Sequence, residues 1–313
     1  MDADELLGRV VAGGLIAPPA PVVAMLSGGR DSVCMLDLAV RARGTEALTA
    51  VHVNYGLRES SEADERHCAE LCERLGVGLE VERPRRPEGP GNLQAWARDN
   101  RYAAAARLAE AQGATIVTGH TADDQVETIL YRLASSPSRR ALLGMKPHDG
   151  RLARPLLGTT RVEVTAYCEG RGLVWREDAS NADTAFARNR IRHGLLPELE
   201  QVHPAAAANV LRTAALLRDE AEVLDALVEA ELGGSADSPR RTITLERLGQ
   251  LPPALRRLVV QRLADGAAGR PVAGAARHAE EVAALRRTGT AMLDLGGGVR
   301  AVVERGLLRA ERG

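Results

Sequence analysis

The feature that most constrains the fold is an alternation of short β-branched runs with longer amphipathic stretches through the first two hundred residues. Parallel strands need a long crossover, usually a helix, so this alternation is typical of an α/β fold. The predicted strands are residues 22–26, 48–54, 77–83, 115–119 and 173–176. The predicted helices are residues 32–43, 61–75, 93–112, 123–133 and 161–170. We therefore expect a doubly wound, mostly parallel sheet.

The pattern changes near residue 217, where stretches rich in Ala, Leu, Glu and Arg begin. They are followed by a β-like stretch, residues 293–311, with a turn at Gly296, Gly297 and Gly298. A chain of 313 residues is long for a single domain. We therefore predict a larger α/β domain over residues 1–217 and a smaller, mainly helical domain over residues 218–313.

The composition limits which cellular compartment and which binding partners can be expected. The net charge is −1, so any contact with nucleic acid must use local basic patches. The N-terminus lacks the basic region of a signal peptide, and no apolar run is long enough to span a bilayer. We expect a soluble, cytoplasmic protein that does not bind membranes. Its four cysteines form no CxxC pair, so free thiols are expected rather than a metal site.

The strongest local signal is the run SGGRDS at residues 27–32, which lies between an apolar predicted strand and a predicted helix. Glycines let the backbone approach an anion closely, and the free N–H groups at a helix N-terminus attract that anion. The run therefore predicts a phosphate-binding loop. It lacks the GK[ST] ending of a Walker A loop, which disfavours a kinase or a GTPase.

A second motif, GHTADDQVET at residues 119–128, follows another predicted strand. Ligands of open α/β sheets bind beyond the carboxyl ends of the strands, so both motifs should face one cleft. Asp124 and Glu127 would share a helix face, where Mg²⁺ or a substrate ammonium group could balance their charge. Alternatively, Asp123 or Asp124 caps the helix. A hydrolase metal site at His120 is disfavoured because no second histidine lies at a useful spacing.

The SGGRDS run resembles the signature SGGxDS of the PP-loop ATP pyrophosphatases, which split ATP between its α and β phosphates. The resemblance implies an α/β fold of this kind, the use of ATP, and a role for Asp31 in placing the Mg²⁺ that accompanies ATP. The residues that it implies in ATP binding are Ser27, Gly28, Gly29, Arg30, Asp31, Ser32, His52 and His120.

A narrower resemblance, to tRNA(Ile)-lysidine synthetases, rests on several blocks that follow one order between residues 22 and 215. The blocks are GHxxDDQxET at 119–128, HVNYGLRES at 52–60, AR and RY at 97–102, LGM at 143–145, RPLL at 154–157, WREDASN at 175–181, ARNRIR at 187–192 and LP at 196–197. Two departures stand out. The family usually has His where Tyr55 stands, and an Arg-Gly-x-Gly loop at residues 135–138, where this chain has Ser-Ser-Pro-Ser.

This resemblance implies that the wobble cytidine of tRNA(Ile) with a CAU anticodon attacks the α-phosphate of ATP through its O2 oxygen. L-lysine then displaces AMP from carbon 2, which gives lysidine. Asp124 and Glu127 would hold the lysine ammonium group, although the sequence does not divide binding and proton transfer between them. The implied catalytic residues are Asp31, Asp124, Glu127 and Arg188, with Arg192 a further candidate for binding phosphate.

Alternatives remain at this stage. Another AMP-forming PP-loop enzyme, either an amide-forming synthetase or a tRNA thiolase, would share the SGGRDS loop. A nucleotide-binding regulator without catalysis is the alternative that is not an enzyme. The arginine pairs at 240–241 and 256–257 favour a tRNA-docking role for residues 218–313. The alternative is that these residues form a structural or dimerising unit, in which case the protein could be a homodimer.

Overall fold

The computed structural model describes residues 2–16, 20–57, 61–87, 92–136, 139–177, 187–233 and 241–313. The chain forms two compact units, residues 1–215 and residues 216–313. No helix in the described ranges has both the length and the apolar character needed to cross a membrane.

The first unit contains a six-stranded sheet in the order β3-β2-β1-β4-β6-β5. Every pair is parallel except β5 with β6. This topology confirms the predicted mostly parallel sheet. Its strands are β1 (Val22–Met25), β2 (Leu48–Val53), β3 (Gly78–Glu82), β4 (Thr115–Val117), β5 (His148–Asp149) and β6 (Leu152–Ala153).

Helices separate the strands along the chain and cover the sheet. They are α1 (Ala3–Ala12), α2 (Arg30–Arg43), α3 (Ser61–Leu75), α4 (Leu93–Gln112), α5 (Ala122–Ser135), α6 (Arg139–Leu142), α7 (Arg161–Gly170), α8 (Ala187–Arg190) and α9 (Leu196–Val202). A π-helical turn, Ile191–Leu195, joins α8 to α9. Helix α10 (Ala206–Glu231) continues into the second unit.

Strand β1 is buried on both sides, which explains its uninterrupted apolar sequence. Val22 and Ala24 belong to one core cluster, with residues of α1, α2, α3 and α7. Val23 and Met25 belong to another, with residues of α4. Alternate side chains of a strand point to opposite faces, so β1 lies between the two helical layers of a doubly wound sheet.

The strand predicted at residues 173–176 is wrong, because this segment has no regular structure and β6 pairs with β4 instead. Two other interactions occupy the segment. Leu173 and Trp175 pack against the core. The backbone N–H of Arg176 donates to the carbonyl oxygen of Gly28 at 3.0 Å, so the segment supports the SGGRDS loop rather than the sheet.

The second unit packs helices against a four-stranded antiparallel sheet in the order β7-β10-β9-β8. The strands are β7 (Ile243–Thr244), β8 (Thr290–Gly296), β9 (Val299–Glu304) and β10 (Leu307–Arg312). The helices are α11 (Leu245–Gln250), α12 (Pro253–Ala268), the 3-10 helix Ala275–His278 and α13 (Ala279–Ala283). The predicted turn between β8 and β9 requires glycine, because residues 296–298 all have positive φ.

Two of the arginines predicted to dock tRNA have partners within the second unit. Arg241 pairs with Glu229 at 2.7 Å. Arg256 pairs with Glu280 and also donates to three backbone carbonyls around α11. Arg257 is exposed, whereas Arg240 lies outside the described residues. Of the three described arginines, therefore, only Arg257 presents a side chain to solvent without such a partner.

A buried carboxylate ties α2 to α7. Asp37 is 1% exposed and accepts a hydrogen bond from the Tyr167 hydroxyl. Arg171 donates to both of its carboxylate oxygens, at 3.2 and 3.3 Å. An ionised group at this depth is stable only when it is fully hydrogen-bonded.

We expect Tyr167→Phe to lower the free energy of unfolding by about 1.5 to 3 kcal/mol, because it leaves a buried carboxylate short of one donor. Tyr131→Phe is the control, since Tyr131 is 44% exposed and its change should be close to neutral. Urea unfolding of both variants measures the difference. If the two variants were equally stable, the hydrogen bond from Tyr167 to Asp37 would contribute nothing to the free energy of unfolding.

Candidate active site

The SGGRDS loop follows β1 and has a fixed internal geometry. The Ser27 backbone N–H donates to the Ser32 hydroxyl at 3.2 Å, and that hydroxyl donates to the Gly29 carbonyl at 2.8 Å. The two serine hydroxyls are 3.0 Å apart. Gly28 has a φ of 81°, and a Cβ there would meet the Cys68 sulfur at 3.2 Å. Glycine is therefore required at position 28 by both conformation and space.

Helix α2 begins at Arg30, within this loop. Its N-cap is Gly29, which provides no side-chain hydrogen bond. The first N–H groups of a helix have no acceptor within it, so this end of α2 offers donors and a positive dipole to an anion. The described geometry therefore fits the phosphate-binding role predicted from the sequence.

Gly119 brings the two motifs together. It lies just beyond β4, the neighbour of β1 in the sheet. A Cβ on Gly119 would lie 2.6 Å from the Asp31 carbonyl oxygen and 3.0 Å from the Ser32 nitrogen. No side chain fits in this space, so the 119–128 motif is in backbone contact with the first turn of α2. The strand order reverses between β1 and β4, which is where ligands of open α/β sheets bind.

Asp31 lies in an environment that raises the pKa of its carboxylate. Its partner is the Arg30 Nε atom, at 3.1 Å. Burial raises the pKa of Asp31 above its usual range, and the nearby negative charge of Asp124 contributes to the increase, whereas Arg30 opposes it. Two carboxylates in mutual repulsion are a suitable environment for a cation.

The two histidines of the predicted site differ in role. Burial lowers the pKa of His120 to about 4, so its imidazole is neutral at pH 7. Its Nδ1 atom is 3.4 Å from the Thr118 hydroxyl. His52 is 5% exposed, and its Nδ1 lies 2.9 Å from the Leu26 carbonyl oxygen. A carbonyl oxygen only accepts, so His52 Nδ1 is the donor and supports the chain at the end of β1.

Thr121, rather than Asp123 or Asp124, is the N-cap of α5. Asp124 completes the capping box, because its carboxylate accepts from the Thr121 backbone N–H at 2.9 Å. Asp123 accepts from the Arg161 backbone N–H at 2.7 Å. Asp124 thus takes part in capping α5, as expected of one of the two aspartates, although the N-cap residue itself is Thr121.

Glu127 is 2% exposed and already has cationic partners. Arg192 donates to both of its oxygens, at 2.6 and 3.2 Å. Arg161 lies 3.6 Å from Glu127 and 3.9 Å from Asp124. The sequence predicts a bound cation beside these carboxylates, but the chain itself provides two guanidinium groups there.

Residues 15–199 match the family model described as the PP-loop domain. A tRNA(Ile)-lysidine synthase from Symbiobacterium thermophilum is 37% identical over 333 residues, which cover 99% of this chain and 69% of that protein. The chain belongs to the tRNA(Ile)-lysidine synthase family. Another member, from Pseudomonas fluorescens, is 40% identical over 213 residues, 66% of this chain and 48% of that protein. A third, from Thermus thermophilus, is 39% identical over 82% of this chain and 51% of that protein. The chain thus spans about half the length of several curated lysidine synthases.

Among solved structures, the U34-tRNA thiolase NcsA from Methanococcus maripaludis superimposes with a TM-score of 0.59. The alignment covers 69% of this chain and 78% of the thiolase at 18% identity. This similarity shows a common fold. Within the described ranges, no group of three or more His, Cys, Asp or Glu side chains could hold a metal ion.

One block shared with lysidine synthetases has a packing explanation. The Gln125 side-chain oxygen accepts from the Met145 backbone N–H at 2.6 Å, and its amide nitrogen donates to the Met145 carbonyl at 2.9 Å. Gly144 has a φ of 67°, and a Cβ there would lie 2.7 Å from the Gln125 amide. The LGM block is thus a turn held against α5 by one glutamine.

The aromatic candidates near the site have internal partners. Tyr55 donates its hydroxyl to the Ala97 carbonyl at 2.8 Å and packs edge-on against Trp96. Tyr102 lies below the Arg98 guanidinium, 4.8 Å from it. Tyr55, which departs from the family pattern, therefore joins the end of β2 to α4.

Several predicted residues lie outside the described ranges: 58–60, 137–138 and 178–181. Arg188 is described, and its Nη2 atom lies 3.4 Å from the Thr128 hydroxyl. The site predicted from the sequence does not include Arg161. No local signal marks this residue, because its proximity to Glu127 depends on the packing of α7 beside α5.

We expect Gly119→Ala to weaken binding of ATP and of inorganic pyrophosphate by about tenfold or more, which corresponds to about 1.4 kcal/mol. The added methyl must displace the first turn of α2. Gly158→Ala is the matched control, because no atom lies within 4 Å of a Cβ at Gly158. Titration calorimetry measures both ligands, and circular dichroism checks the fold. Unchanged affinity in a folded Gly119→Ala protein would contradict a positioning role for this close approach.

Proposed function

We propose that this chain ligates L-lysine to carbon 2 of the wobble cytidine of tRNA(Ile) with a CAU anticodon, through an adenylated cytidine and with conversion of ATP to AMP and pyrophosphate. The observation that supports this most strongly is the backbone contact of Gly119 with the first turn of α2. It places an anion-binding helix end beside a motif with two carboxylates. Family membership supports the same reaction and a site of action in the cytoplasm.

The SGGRDS loop would hold the β and γ phosphates of ATP, which become the leaving pyrophosphate. Ser27 and Ser32 present hydroxyls at the start of α2, and Arg30 adds a positive charge. The half-buried Asp31 carboxylate, with Asp124 near it, fits a site for the Mg²⁺ that accompanies ATP. When bound, the ion would neutralise phosphate charge.

His120 would contribute a neutral imidazole beside the nucleotide. A group with a pKa of about 4 donates or accepts one hydrogen bond at pH 7 without adding charge. His52 would act indirectly, by holding the chain that leads from β1 into the SGGRDS loop. We thus assign nucleotide contact to His120 and support of the loop to His52.

Asp124 and Glu127 would bind the lysine ammonium group, and one of the two carboxylates would accept the proton that it loses so that the free amine can attack carbon 2 as AMP leaves. Arg192 and Arg161 at present satisfy the charge of Glu127, so the ammonium group must join or displace a guanidinium. Exposed Arg188 would face the substrate and bind phosphate. The cytidine must leave its stack to reach these groups.

The competing PP-loop reactions have less support. A thiolase needs a reactive thiolate, but all four cysteines of this chain are buried. Burial raises the pKa of Cys68 to about 12 and that of Cys72 to about 11, which keeps both thiols protonated at pH 7. An amide-forming synthetase would not require an RNA, which makes the acceptor the decisive test.

Residues 218–313 are proposed to aid tRNA docking rather than chemistry. Arg257 supports this docking role most directly, because Arg241 and Arg256 form ion pairs within the second unit. This role is secondary to the reaction proposed above.

The direct test is to incubate the protein with ATP, labelled lysine and a tRNA(Ile) transcript that carries a CAU anticodon. We expect label on that tRNA and none on a transcript with a CAU-to-GAU change. The absence of label from any RNA, with AMP formed on a different acceptor, would overturn the proposal.

Two variants should separate the half-reactions. Asp31→Ala should abolish tRNA-dependent release of pyrophosphate, because ATP and its metal are misplaced before any bond forms. Glu127→Gln should retain most pyrophosphate release but raise the lysine concentration needed for transfer about tenfold to hundredfold, the effect of removing a charge-assisted hydrogen bond of about 1.5 to 3 kcal/mol.

The control for Glu127→Gln is Glu110→Gln on the exposed surface of α4, which should match the unchanged protein in both assays. If Glu127→Gln blocked pyrophosphate release as fully as Asp31→Ala, Glu127 would belong to the nucleotide site.

A further inference from the structure

A group of arginines converges beside the proposed nucleotide site, on the side of α5 and β6. We call it the arginine cluster. Its members are Arg98, Arg132, Arg154 and Arg188.

Hydrogen bonds attach three of these guanidinium groups to α5 or to the turn that packs against it. Arg132 donates to the Gly144 carbonyl at 2.8 Å, and Arg154 donates to the Lys146 carbonyl at 2.6 Å. These carbonyls belong to the short turn that Gln125 holds against α5. Arg188 contacts Thr128, one helical turn before Arg132 on α5.

The positive charges of the cluster are close enough to act on their neighbours. The pKa of Arg132 is lowered, first by burial and then by Arg188, Arg154 and Arg98. Arg154 and Arg98 also help to lower the pKa of His120. The guanidinium of Arg98 lies over the Tyr102 ring, 4.8 Å from its centroid.

Among the described residues, no acidic side chain forms an ion pair with Arg132, Arg154 or Arg188. Across the described ranges, the polar contacts of Arg132, Arg154 and Arg188 go to two carbonyls and one hydroxyl, and none goes to a carboxylate. Arg154 is only 7% exposed, and its Nε atom is buried without a hydrogen-bond partner among the described residues. A buried donor of this kind costs free energy unless a ligand accepts from it.

We propose that the arginine cluster binds a backbone phosphodiester of the RNA substrate, beside the nucleotide that is modified. Arginine forms planar, paired hydrogen bonds with phosphate oxygens, and several guanidinium groups in mutual repulsion favour an anion. This assignment rests on the proposed function for the identity of the RNA.

An RNA phosphate fits the cluster better than the ATP triphosphate for two reasons. The SGGRDS loop after β1 already presents a helix N-terminus to phosphate, whereas the cluster is built on α4, α5, α8 and the chain after β6. Arg98 and Arg188 are exposed, so a large ligand can reach them from solvent. The net charge of −1 makes such a local patch necessary for binding RNA.

The test measures binding of an anticodon stem-loop RNA of tRNA(Ile) between 50 and 200 mM salt, for the unchanged protein and for Arg98→Gln and Arg132→Gln. Each variant should bind the RNA about tenfold more weakly at low salt. The slope of log K against log salt should decrease in magnitude by about 0.7 for each phosphate that the variant no longer neutralises. Arg74→Gln on α3, an exposed arginine away from the cluster, should change neither value.

ATP affinity of the same variants separates the two sources of phosphate. Unchanged ATP binding with weakened RNA binding supports the proposal. Weakened ATP binding with unchanged RNA binding would assign the cluster to the triphosphate and overturn it, as would variants equal to Arg74→Gln in both assays. Lysine transfer by the unchanged protein is scored separately. If RNA binds through the cluster but receives no lysine, the proposed function fails while the anion site stands.

Discussion

The close backbone contact between Gly119 and the first turn of α2 is the constraint on which the site depends. Two segments that are distant in the chain meet where the strand order reverses between β1 and β4. Because a side chain at position 119 would occupy the space of the Asp31 carbonyl, the two loops are positioned by backbone atoms. This keeps the N-terminus of α2 close to the carboxylates of α5.

Acidic and basic side chains occupy different parts of this cleft. The first turns of α5 carry Asp124 and Glu127, which Arg161 and Arg192 neutralise. Further along α5, the arginine cluster is held by carbonyls and a hydroxyl. Burial lowers the pKa of His120, and the charges of Asp124 and of Arg154 shift that pKa in opposite directions. Such a site suits substrates that bring both an ammonium group and phosphates.

Most of the fold could be predicted from the sequence, since its signals are local. The predicted limits of α3 and α4 agree with the structure. Helix limits can be predicted because capping residues and glycines lie within a few residues of the ends of the helical sequence pattern. The conformation of residues 173–176 could not be predicted. Its apolar residues resemble a strand, but they pack against the core, and its backbone hydrogen-bonds to the SGGRDS loop.

The sequence by itself determined the parallel sheet, the SGGRDS loop at the start of α2 and the shared helix face of Asp124 and Glu127. Each follows from residues close together in the chain. Only the tertiary structure decided which cations face Glu127 and which arginines lie without carboxylate partners among the described residues. Those relations join α5 to α7, to the π-helical turn and to the chain after β6, and contacts between distant segments leave no periodic signal in the sequence.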